Sequence, residues 1–505
     1  MPTENFDVLI VGAGVSGIGM ACTLTQQCPD QTYAILETRG SLGGTWDLFR
    51  FPGVRSDSDM FTYGYAFRPW HDFKVLADGA TIREYIADTA REFGVDRHIR
   101  YHLKTTHANW HAASQRWVVT ATDQRNGVVQ SFSCRHLVMS TGYFNYDAGY
   151  TPALPNLEKF TGQVVHPQNW PGSLDWRDKR VVVLGSGATA ITLLPAMAQA
   201  SAHVTMLQRS PTYIMSLPSR DGLTRALSRI LPKRWAFAFA RRRNTVLAGW
   251  IYQASRKWPA RMRKLFLAQA EKHLAGSADM AHFTPTYQPW DQRVCVVPDA
   301  DLFATIKSGK ASVVTDEIAG FSGSSVLLRS GQRLDADILV TATGLDVQAL
   351  GGMQITVDGQ AYDPNQHMLY KAVLLENLPN FYWIFGYTNA SWTLKVDLAT
   401  RYICRVIEHM KAHGKGVAVA RDNTGSRLPE SIMGSLNSGY ITRAAALMPR
   451  QGSRAPWKVT HHYATDKTVL LHEPIADGVL RFEDRNEPPA SSVAVPLQRQ
   501  AQQVA

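Results

Sequence analysis

The sequence contains little cysteine, and no spacing of its cysteines would hold a metal or build a disulfide framework. Its 505 residues include five cysteines, an odd number, scattered along the chain. Structural zinc sites need cysteine pairs a few residues apart, and small secreted scaffolds need many paired cysteines. We therefore expect a reducing compartment, no metal site, and five thiols that are small buried apolar groups: Cys22, Cys28, Cys134, Cys295 and Cys404.

Targeting and membrane-spanning signals are also missing. The first residues, MPTENFDVLIVG, have no basic leader followed by an apolar run and a cleavage site, so we expect no signal peptide and a cytoplasmic protein. The stretch from Val181 to Gln208 contains no Asp, Glu, Lys or Arg and is long enough to span a bilayer. It reads VVVLGSGATA before an apolar segment and HVTMLQ, and we interpret it as a strand–helix–strand unit.

Positive charge is concentrated in one window of the chain. The net charge is +11, but residues 220–272 hold 14 basic residues against Asp221 and Glu271, so this window carries +12. No nucleic-acid recognition motif accompanies it, which argues against nucleic acid as a partner. The window is helical in composition, and two interpretations stay open. Either it is a solvated face whose Trp235, Trp250 and Trp258 pack inward, or its cations and aromatic residues rest on an anionic membrane as a peripheral contact.

The first glycine-rich turn, GAGVSG, follows the predicted strand FDVLIV and precedes a predicted helix. Gly12 permits the tight turn, Gly14 lets the backbone approach a pyrophosphate, and Gly17 allows close helix–strand packing, with Ser16 beside them. Unpaired N–H groups at the helix N-terminus bind the phosphate. Glu37 ends the next strand, TYAILE, where a carboxylate accepts hydrogen bonds from a ribose diol. This pattern predicts an FAD site.

A second glycine-rich turn, GSGATA, follows KRVVVL. The next strand ends in Arg209 and Ser210 where the first unit has an acid. A guanidinium and a hydroxyl bind a 2′-phosphate that a carboxylate would repel, so this site is predicted to bind NADPH rather than NADH. The turn itself contains Gly185, Gly187, Ala188, Thr189 and, at the third packing position, Ala190.

Two dinucleotide sites in one chain indicate electron flow from a nicotinamide to a flavin, as in a reductase or an oxygenase. A disulfide reductase needs a redox-active cysteine pair near the flavin. Cys22 and Cys28 lie on the first predicted helix and the loop after it, which is the wrong place. Oxygen is therefore the expected electron acceptor.

Two longer motifs resemble those of a known family. GGTWDLFRFPGVRSD, from Gly43 to Asp57, is similar to the long signature of Baeyer–Villiger monooxygenases, which are class B flavoprotein monooxygenases. FTGQVVHPQNWP, from Phe160 to Pro171, matches the shorter signature of that family at every fixed position. The run GTWDLFRFPGVRSDSDMFTYGY resembles a bacterial subgroup, the ethionamide-activating monooxygenases. The resemblance extends from residue 6 to about residue 480.

The resemblance implies roles for particular residues. His166 and Trp170 would lie in the interdomain linker and position the domains, although His166 could also be an ordinary structural histidine. Arg293, in YQPWDQRVC, would be the active-site arginine. Gln292 stands where the family often has a lysine that helps to hold the NADPH phosphate, which leaves more of that task to Arg209. The residues implied along the flavin, or near its junction with the nicotinamide, are Gly44, Thr45, Trp46, Arg55, Ser56 and Asp57.

The resemblance also implies a reaction. Reduced flavin and O₂ would give a C4a-peroxyflavin that attacks a ketone carbonyl and yields an ester or lactone. Arg293 would stabilise the negative charge that develops, and Asp57 would orient Arg293. Small-molecule ketones are the expected substrates, with sulfides oxidised as well. The alternatives are a flavin-containing monooxygenase restricted to sulfur and nitrogen and, more remotely, a flavoprotein redox sensor that does not transfer oxygen.

The expected fold is α/β, with two Rossmann-like dinucleotide-binding domains and a helical insertion. FYWIFGYTNASWTLKVDLATRYI is predicted to be the last strand of the FAD domain leading into a helix, with Asn389, Ser391 and Thr393 offering N-caps. Trp392 is predicted either to border the substrate pocket or to pack in the core. The predicted FAD domain comprises 1–145 and 341–484, the NADP domain 146–214 and 291–340, the insertion 215–290, and a disordered tail 485–505.

Overall fold

The computed structural model describes residues 3–433 and 439–486, so nearly all of the predicted disordered tail lies outside the described residues. The first part of the chain forms a βαβ start and an antiparallel meander. Its strands are β1 (Glu4–Val11), β2 (Tyr33–Leu36), β3 (Ile99–Arg100), β4 (Leu103–His111), β5 (Arg116–Asp123), β6 (Val129–Met139) and β7 (Phe144–Gly149). Its helices are α1 (Val15–Gln27), α2 (Thr45–Leu48), α3 (Met60–Tyr63) and α4 (Gly79–Glu92).

The middle of the chain alternates strands and helices. Its strands are β8 (Gln163–Val165), β9 (Arg180–Leu184), β10 (His203–Gln208), β11 (Ile214–Leu217), β12 (Cys295–Pro298), β13 (Ala311–Thr315), β14 (Ile318–Ser322), β15 (Ser325–Leu328), β16 (Arg333–Asp335) and β17 (Ile338–Thr341). Its helices are α5 (Ala188–Met197), α6 (Gly222–Leu227), α7 (Lys233–Lys257), α8 (Pro259–Leu274) and α9 (Asp301–Lys307).

The last part returns to short strands and one long helix. Its strands are β18 (Leu345–Val347), β19 (Gln354–Val357), β20 (Gln360–Tyr362), β21 (Leu369–Tyr370), β22 (Leu374–Leu375), β23 (Phe381–Trp383), β24 (Lys415–Ala420), β25 (Arg427–Ser431), β26 (Arg450–Gly452) and β27 (Leu480–Asp484). Its helices are α10 (Trp392–Ala412), α11 (Gly439–Ala444) and α12 (Tyr463–Leu471).

The larger of the two main sheets combines strands from both ends of the chain. β6, β1, β2 and β3 run parallel, and β23 from the C-terminal part pairs parallel with β6. β4 and β5 extend this sheet in antiparallel fashion, and β19 joins β4. The second half of β1, from Val8 to Val11, and all of β2 are buried on both faces, because helices cover one side of the sheet and the meander the other.

The smaller main sheet is entirely parallel and uses only the middle of the chain, in the order β13–β10–β9–β17–β8. The uncharged stretch from Val181 to Gln208 supplies β9, α5 and β10, so the strand–helix–strand interpretation is confirmed. Within the described residues, the helices include none with the length and hydropathy needed to cross a membrane. The predicted α/β fold with two nucleotide-type units is confirmed; the residue bounds of the domains stay a proposal.

The basic window forms α6, α7 and α8, as its composition predicted. The inward packing considered for its tryptophans is wrong, because Trp235, Trp250 and Trp258 are all exposed. The residues that do pack inward are Phe237 and Ala240, which bury themselves against Phe61 and Val75 of the first part of the chain. The insertion therefore also contacts the larger sheet's side of the molecule.

The chain passes between the two sheets at one place. β7 leaves the larger sheet's region and β18 returns to it, and these two strands pair antiparallel with each other, Leu345 opposite Gly149 and Val347 opposite Phe144.

The buried thiols are distributed through the cores, and all five cysteines are free and buried as predicted.

Candidate functional site

The first glycine turn is shaped by backbone contacts that exclude larger residues. Gly12 has a φ of +101°, and a Cβ there would lie 2.8 Å from the carbonyl oxygen of Ser140. A Cβ at Gly17 would lie 1.8 Å from the carbonyl oxygen of Gly12. Gly14 occupies the N-cap of α1 with no side chain over the helix N-terminus. The first N–H groups of α1 are thus open to an anionic ligand.

Glu37 stands at the end of β2 and is 5% exposed. One carboxylate oxygen accepts a 2.8 Å hydrogen bond from the N–H of Ala13, and the other accepts a 2.8 Å bond from the N–H of Arg39. Burial raises the pKa of Glu37. The carboxylate thereby fixes the glycine turn while it also borders the adjoining cavity.

The segment after the second strand adds a polar wall to this cavity. Gly44 has a φ of +56° and packs on Gly14. The Thr45 hydroxyl lies 3.2 Å from the hydroxyl of Tyr146, whose pKa burial raises to about 12. Trp46 donates a 2.6 Å bond from Nε1 to the hydroxyl of Tyr63. The two tyrosines were not predicted from the sequence.

Asp47 is a third residue of this wall that was not predicted from the sequence. Its buried carboxylate forms ion pairs with Arg39, Arg50 and Arg83. Since Arg39 also bonds Glu37 through its N–H, Asp47 ties the wall of the cavity to the end of β2. The only sequence signal was its place inside the GGTWD motif.

Two adjoining cavities meet beside these elements. The smaller, about 260 Å³, is lined by most of the residues predicted to bind FAD. The larger is about 1190 Å³, and both are bordered by Asp57, Ser58, Arg293 and Ala390. Gly17 is buried in the turn rather than lining either cavity. The predicted residues brought together in the smaller cavity are Gly12, Gly14, Ser16, Glu37, Gly44, Thr45, Trp46, Ser56, Asp57 and Arg293.

The smaller cavity fits a flavin nucleotide in its chemistry. The hydroxyls of Ser140 and Thr141 line it and are buried without a hydrogen-bond partner in the described structure. Ser16 presents its hydroxyl there and accepts a 2.8 Å bond from Nε1 of Trp392. Unpaired hydroxyls, an acid and an open helix N-terminus match the ribityl, ribose and pyrophosphate groups of such a ligand.

Arg293 and Asp57 form the predicted pair at the junction of the two cavities. Nε of Arg293 lies 3.5 Å from a carboxylate oxygen of Asp57, with both side chains about one-third exposed. Arg293 precedes β12, whereas Asp57 lies in the loop before α3. The pair thus joins the middle of the chain to its first part, with the guanidinium facing both spaces.

Arg55 is held by an ion pair, and its place near the junction of flavin and nicotinamide stays a prediction. Its guanidinium lines neither of the two cavities and forms two hydrogen bonds to the carboxylate of Asp301, at the start of α9. Ser56 does line the smaller cavity, and its hydroxyl is bonded to the backbone of Ser58. Arg55 therefore has a structural partner on the smaller sheet's side.

The second glycine turn has the same local geometry as the first. Gly185 has a φ of +132°, and a Cβ there would lie 2.3 Å from the carbonyl oxygen of Ala342. Gly187 is the N-cap of α5, whose first residues are Ala188 and Thr189. Arg209 and Ser210 are exposed at the end of β10 and line neither cavity. The N-terminus of α5 is open in the same way as that of α1.

The shorter motif lies against the ribbon of β7 and β18. The Nδ1 atom of His166 accepts a 3.2 Å bond from the N–H of Gln168, and burial lowers the pKa of the ring. A Cβ at Gly149 of β7 would lie 2.0 Å from this ring. Trp170 meets Trp176 edge to face at 6.0 Å. Both residues pack and neither lines a cavity.

The start of α10 forms the remaining wall. Ser391 occupies the N-cap, but its side chain bonds no backbone N–H, so the predicted side-chain caps are wrong. Thr393 instead donates to the carbonyls of Thr62 and Tyr63, and Asn389 donates to that of His461. Trp392 lines the smaller cavity and stacks with Tyr143.

The site combines two open glycine turns with a charged pair between adjoining cavities. This arrangement is that of a flavoprotein with two dinucleotide-binding sites. The chain belongs to the flavin-binding monooxygenase-like family, whose pattern matches residues 6–415. It is 55% identical over 483 residues to MymA of Mycobacterium tuberculosis, whose name designates an FAD-containing monooxygenase, with 95% of this chain and 98% of that protein covered. The FAD-containing monooxygenase EthA of the same species is 47% identical, covering 96% and 99%.

Solved structures share the fold. The structure of an oxidized steroid monooxygenase bound to NADP matches with a TM-score of 0.75 at 22% identity, covering 95% of this chain and all of that one. The resemblance to class B flavoprotein monooxygenases inferred from the two motifs is confirmed at the level of the family. The chain is therefore a flavin monooxygenase.

Proposed function

We propose that the protein is an FAD-dependent Baeyer–Villiger monooxygenase that consumes NADPH and O₂ and inserts one oxygen atom into ketones to give esters or lactones. Its relatives at 47–55% identity are named for FAD, and a structural neighbour holds NADP. The observation that carries the proposal is the Arg293–Asp57 pair at the junction of the two cavities.

The smaller cavity holds FAD in this proposal. The open N-terminus of α1 binds the pyrophosphate and Glu37 accepts hydrogen bonds from the ribose. Thr45, Trp46 and Asp57 border the isoalloxazine, and the bound flavin supplies the activated oxygen. The exposed start of α5 binds the NADPH pyrophosphate, and Arg209 with Ser210 binds the 2′-phosphate, which distinguishes NADPH from NADH.

Arg293 supplies a permanent positive charge where the substrate cavity meets the flavin cavity. A guanidinium does not lose its proton at any working pH, so it stabilises the negative charge on a ketone oxygen as the carbonyl is attacked. A well-placed donor of this kind contributes roughly 3–4 kcal/mol to the transition state. Asp57 holds the guanidinium in place and limits the net charge of the junction.

Replacing Arg293 tests the proposal. In Arg293→Ala we expect ketone oxidation to fall by roughly 100- to 1000-fold, while flavin reduction by NADPH survives, because the variant leaves both glycine turns intact. Stopped-flow absorbance measures flavin reduction and mass spectrometry measures ester formation. Gln292→Ala, one residue away, is the matched control. Full ketone turnover in Arg293→Ala would refute the assignment.

A thioether separates this proposal from a monooxygenase restricted to sulfur and nitrogen. A ketone and a thioether of similar size, given to the native enzyme, should both be oxidised. Sulfide oxidation without any ester or lactone product, from linear, cyclic and aryl ketones alike, would favour the restricted enzyme. NADPH consumption unaffected by either compound would indicate the redox sensor.

A further inference from the structure

Helices α6, α7 and α8 expose an unusual number of large apolar side chains. Of the fourteen such side chains exposed in the described part of the chain, ten lie between residues 223 and 265. A protein rarely gathers exposed apolar groups on one region unless that region binds something. The ten are Leu223, Ile230, Leu231, Trp235, Phe239, Val246, Leu247, Trp250, Trp258 and Leu265.

Along α7 the exposed side chains recur with the period of the helix. Trp235, Phe239, Arg242, Val246 and Trp250 are spaced four, three, four and four residues apart, which places them on one side of the helix. The four apolar ones are 47–65% exposed. The inward side is already satisfied by the buried residues of the same helix. This outward stripe therefore contributes nothing to the core.

The same helices carry exposed cations. Four of the basic residues in the window have side-chain partners: Arg241 with Asp397, Arg243 with Asp221, Arg256 with Asp291 and Arg263 with Tyr213. Arg234 and Lys257 lie over the rings of Trp235 and Trp258, at 5.9 Å and 5.0 Å. The ten basic residues without such a partner, Arg234 and Lys257 among them, are exposed and form no ion pair with the described residues: Arg220, Arg225, Arg229, Lys233, Arg234, Arg242, Lys257, Arg261, Lys264 and Lys272.

The larger cavity reaches this surface. Val246, Leu247 and Trp250 line the cavity and are at least half exposed to solvent. The same cavity extends inward to Asp57 and Arg293. An apolar molecule bound at the stripe would thus lie at the mouth of the space that leads to the Arg293–Asp57 pair.

We propose that α6–α8 form a surface that docks on an anionic lipid bilayer, with the mouth of the larger cavity facing the lipid. Tryptophan and aliphatic side chains insert at the headgroup boundary while the cations bind anionic headgroups. A second copy of the chain is disfavoured as the occupant because two windows of +12 repel each other. Nucleic acid offers no apolar partner for the aliphatic side chains Ile230, Leu231 and Val246. The docked surface thereby collects lipophilic ketones from the bilayer. This part of the proposal rests on the proposed function, whereas the docking itself does not.

Sedimentation with vesicles tests the docking without any turnover. The native protein should co-sediment with vesicles of phosphatidylcholine and phosphatidylglycerol at low salt, and less with phosphatidylcholine alone or at high salt. Each Lys or Arg at an anionic surface strengthens binding roughly fivefold, so the variant Arg234→Gln, Lys257→Gln, Arg261→Gln should partition on the order of 100-fold more weakly. The variant Trp235→Ser, Phe239→Ser, Trp258→Ser should also lose binding.

A matched control removes exposed apolar groups elsewhere: Val129→Ser, Val164→Ser, Leu447→Ser should bind vesicles like the native protein. Circular dichroism establishes that each variant is folded. Absence of native binding to anionic vesicles at low salt, or equal loss in the control, would overturn the proposal. Light scattering provides a further test. Concentration-dependent dimers that only the variant Trp235→Ser, Phe239→Ser, Trp258→Ser (the tryptophan variant) abolishes would also overturn the proposal, because the surface would then bind a second copy of the chain.

A comparison of two ketones tests whether the docked surface collects lipophilic substrates. Anionic vesicles should accelerate oxidation of a long-chain methyl ketone dissolved in them by the native enzyme and not by the tryptophan variant. A short water-soluble ketone should be oxidised equally by both, because Trp235, Phe239 and Trp258 do not line the cavities. Equal vesicle effects in the two proteins would refute lipid-side entry. If neither ketone reacts, the proposed function fails, and docking is judged by sedimentation.

Discussion

Arg241 joins the helical insertion to the flavin side of the molecule through a nearly buried ion pair. Its guanidinium lies 2.5 Å from a carboxylate oxygen of Asp397 on α10, with the two side chains 18% and 10% exposed. It also donates to the carbonyls of Phe61, Thr62 and Gly64 in and after α3. Asp397 accepts a further bond from the N–H of Ala66. We expect Arg241→Met, which keeps the apolar stem, to remove this connection.

The expected cost follows from leaving a carboxylate buried without its partner. Breaking one side of such a pair typically lowers the free energy of unfolding by about 3–5 kcal/mol. The double variant Arg241→Met, Asp397→Asn no longer buries a charge, and its loss should be smaller than the sum of the two single losses by about 1–3 kcal/mol. Urea unfolding of the flavin-loaded protein, followed by tryptophan fluorescence, measures all four proteins.

The pH dependence provides an independent test of the same pair. Burial raises the pKa of Asp397 to about 6, against a lowering by Arg241. Because the folded state favours the protonated acid, the stabilising contribution of Asp397 is complete below about pH 4 and is lost as the pH rises through about 6. Relative to Asp397→Asn, the native protein should lose up to about 3 kcal/mol over that interval. This account would be refuted if the losses in free energy of unfolding of Arg241→Met and Asp397→Asn were additive in the double variant, and if the native protein and Asp397→Asn showed parallel pH profiles.

Two further predictions concern the glycine turns. Gly17→Ala should lose bound flavin, because its Cβ would lie 1.8 Å from the Gly12 carbonyl oxygen. Gly172→Ala, with open space around it and no positive φ, should retain the flavin. Absorbance at the flavin band after gel filtration measures the loading, and a fully loaded Gly17→Ala protein would contradict the packing argument. Arg209→Ala should raise the KM for NADPH by roughly 10- to 100-fold, the effect of a lost charge-assisted hydrogen bond. The KM for NADH should stay unchanged. An equal rise for both nucleotides would show that Arg209 does not bind the 2′-phosphate.

Local features of the chain were predictable because their causes are local. The glycine turns combine an apolar strand, a positive φ and a following helix within about twenty residues, so Gly12 and Gly185 could be placed from the sequence. The helical insertion followed from composition. The side of α7 that packs against the rest of the protein could not be predicted, because helical periodicity does not show what packs against each face. The inward placement of Trp250 was wrong for this reason.

Long-range pairings could not be derived from residue patterns. The partner of Arg55, Asp301, lies 246 residues away, and the sequence did not predict the pair. The Arg241–Asp397 pair spans 156 residues, and no motif marks either member. The Arg293–Asp57 pair was expected only because family resemblance carried the information that two distant loops meet.

The ribbon of β7 and β18 limits how the two main sheets can move. Both passages of the chain between the sheets run through this one antiparallel pair. The ribbon is not the only contact between the two sides, because Phe237 of α7 packs on Phe61, Arg241 pairs with Asp397, and Arg55 pairs with Asp301. A change in the separation of Arg293 and Asp57 would therefore have to break these contacts or carry them along, and the packing of His166 on Gly149 belongs to the same joint.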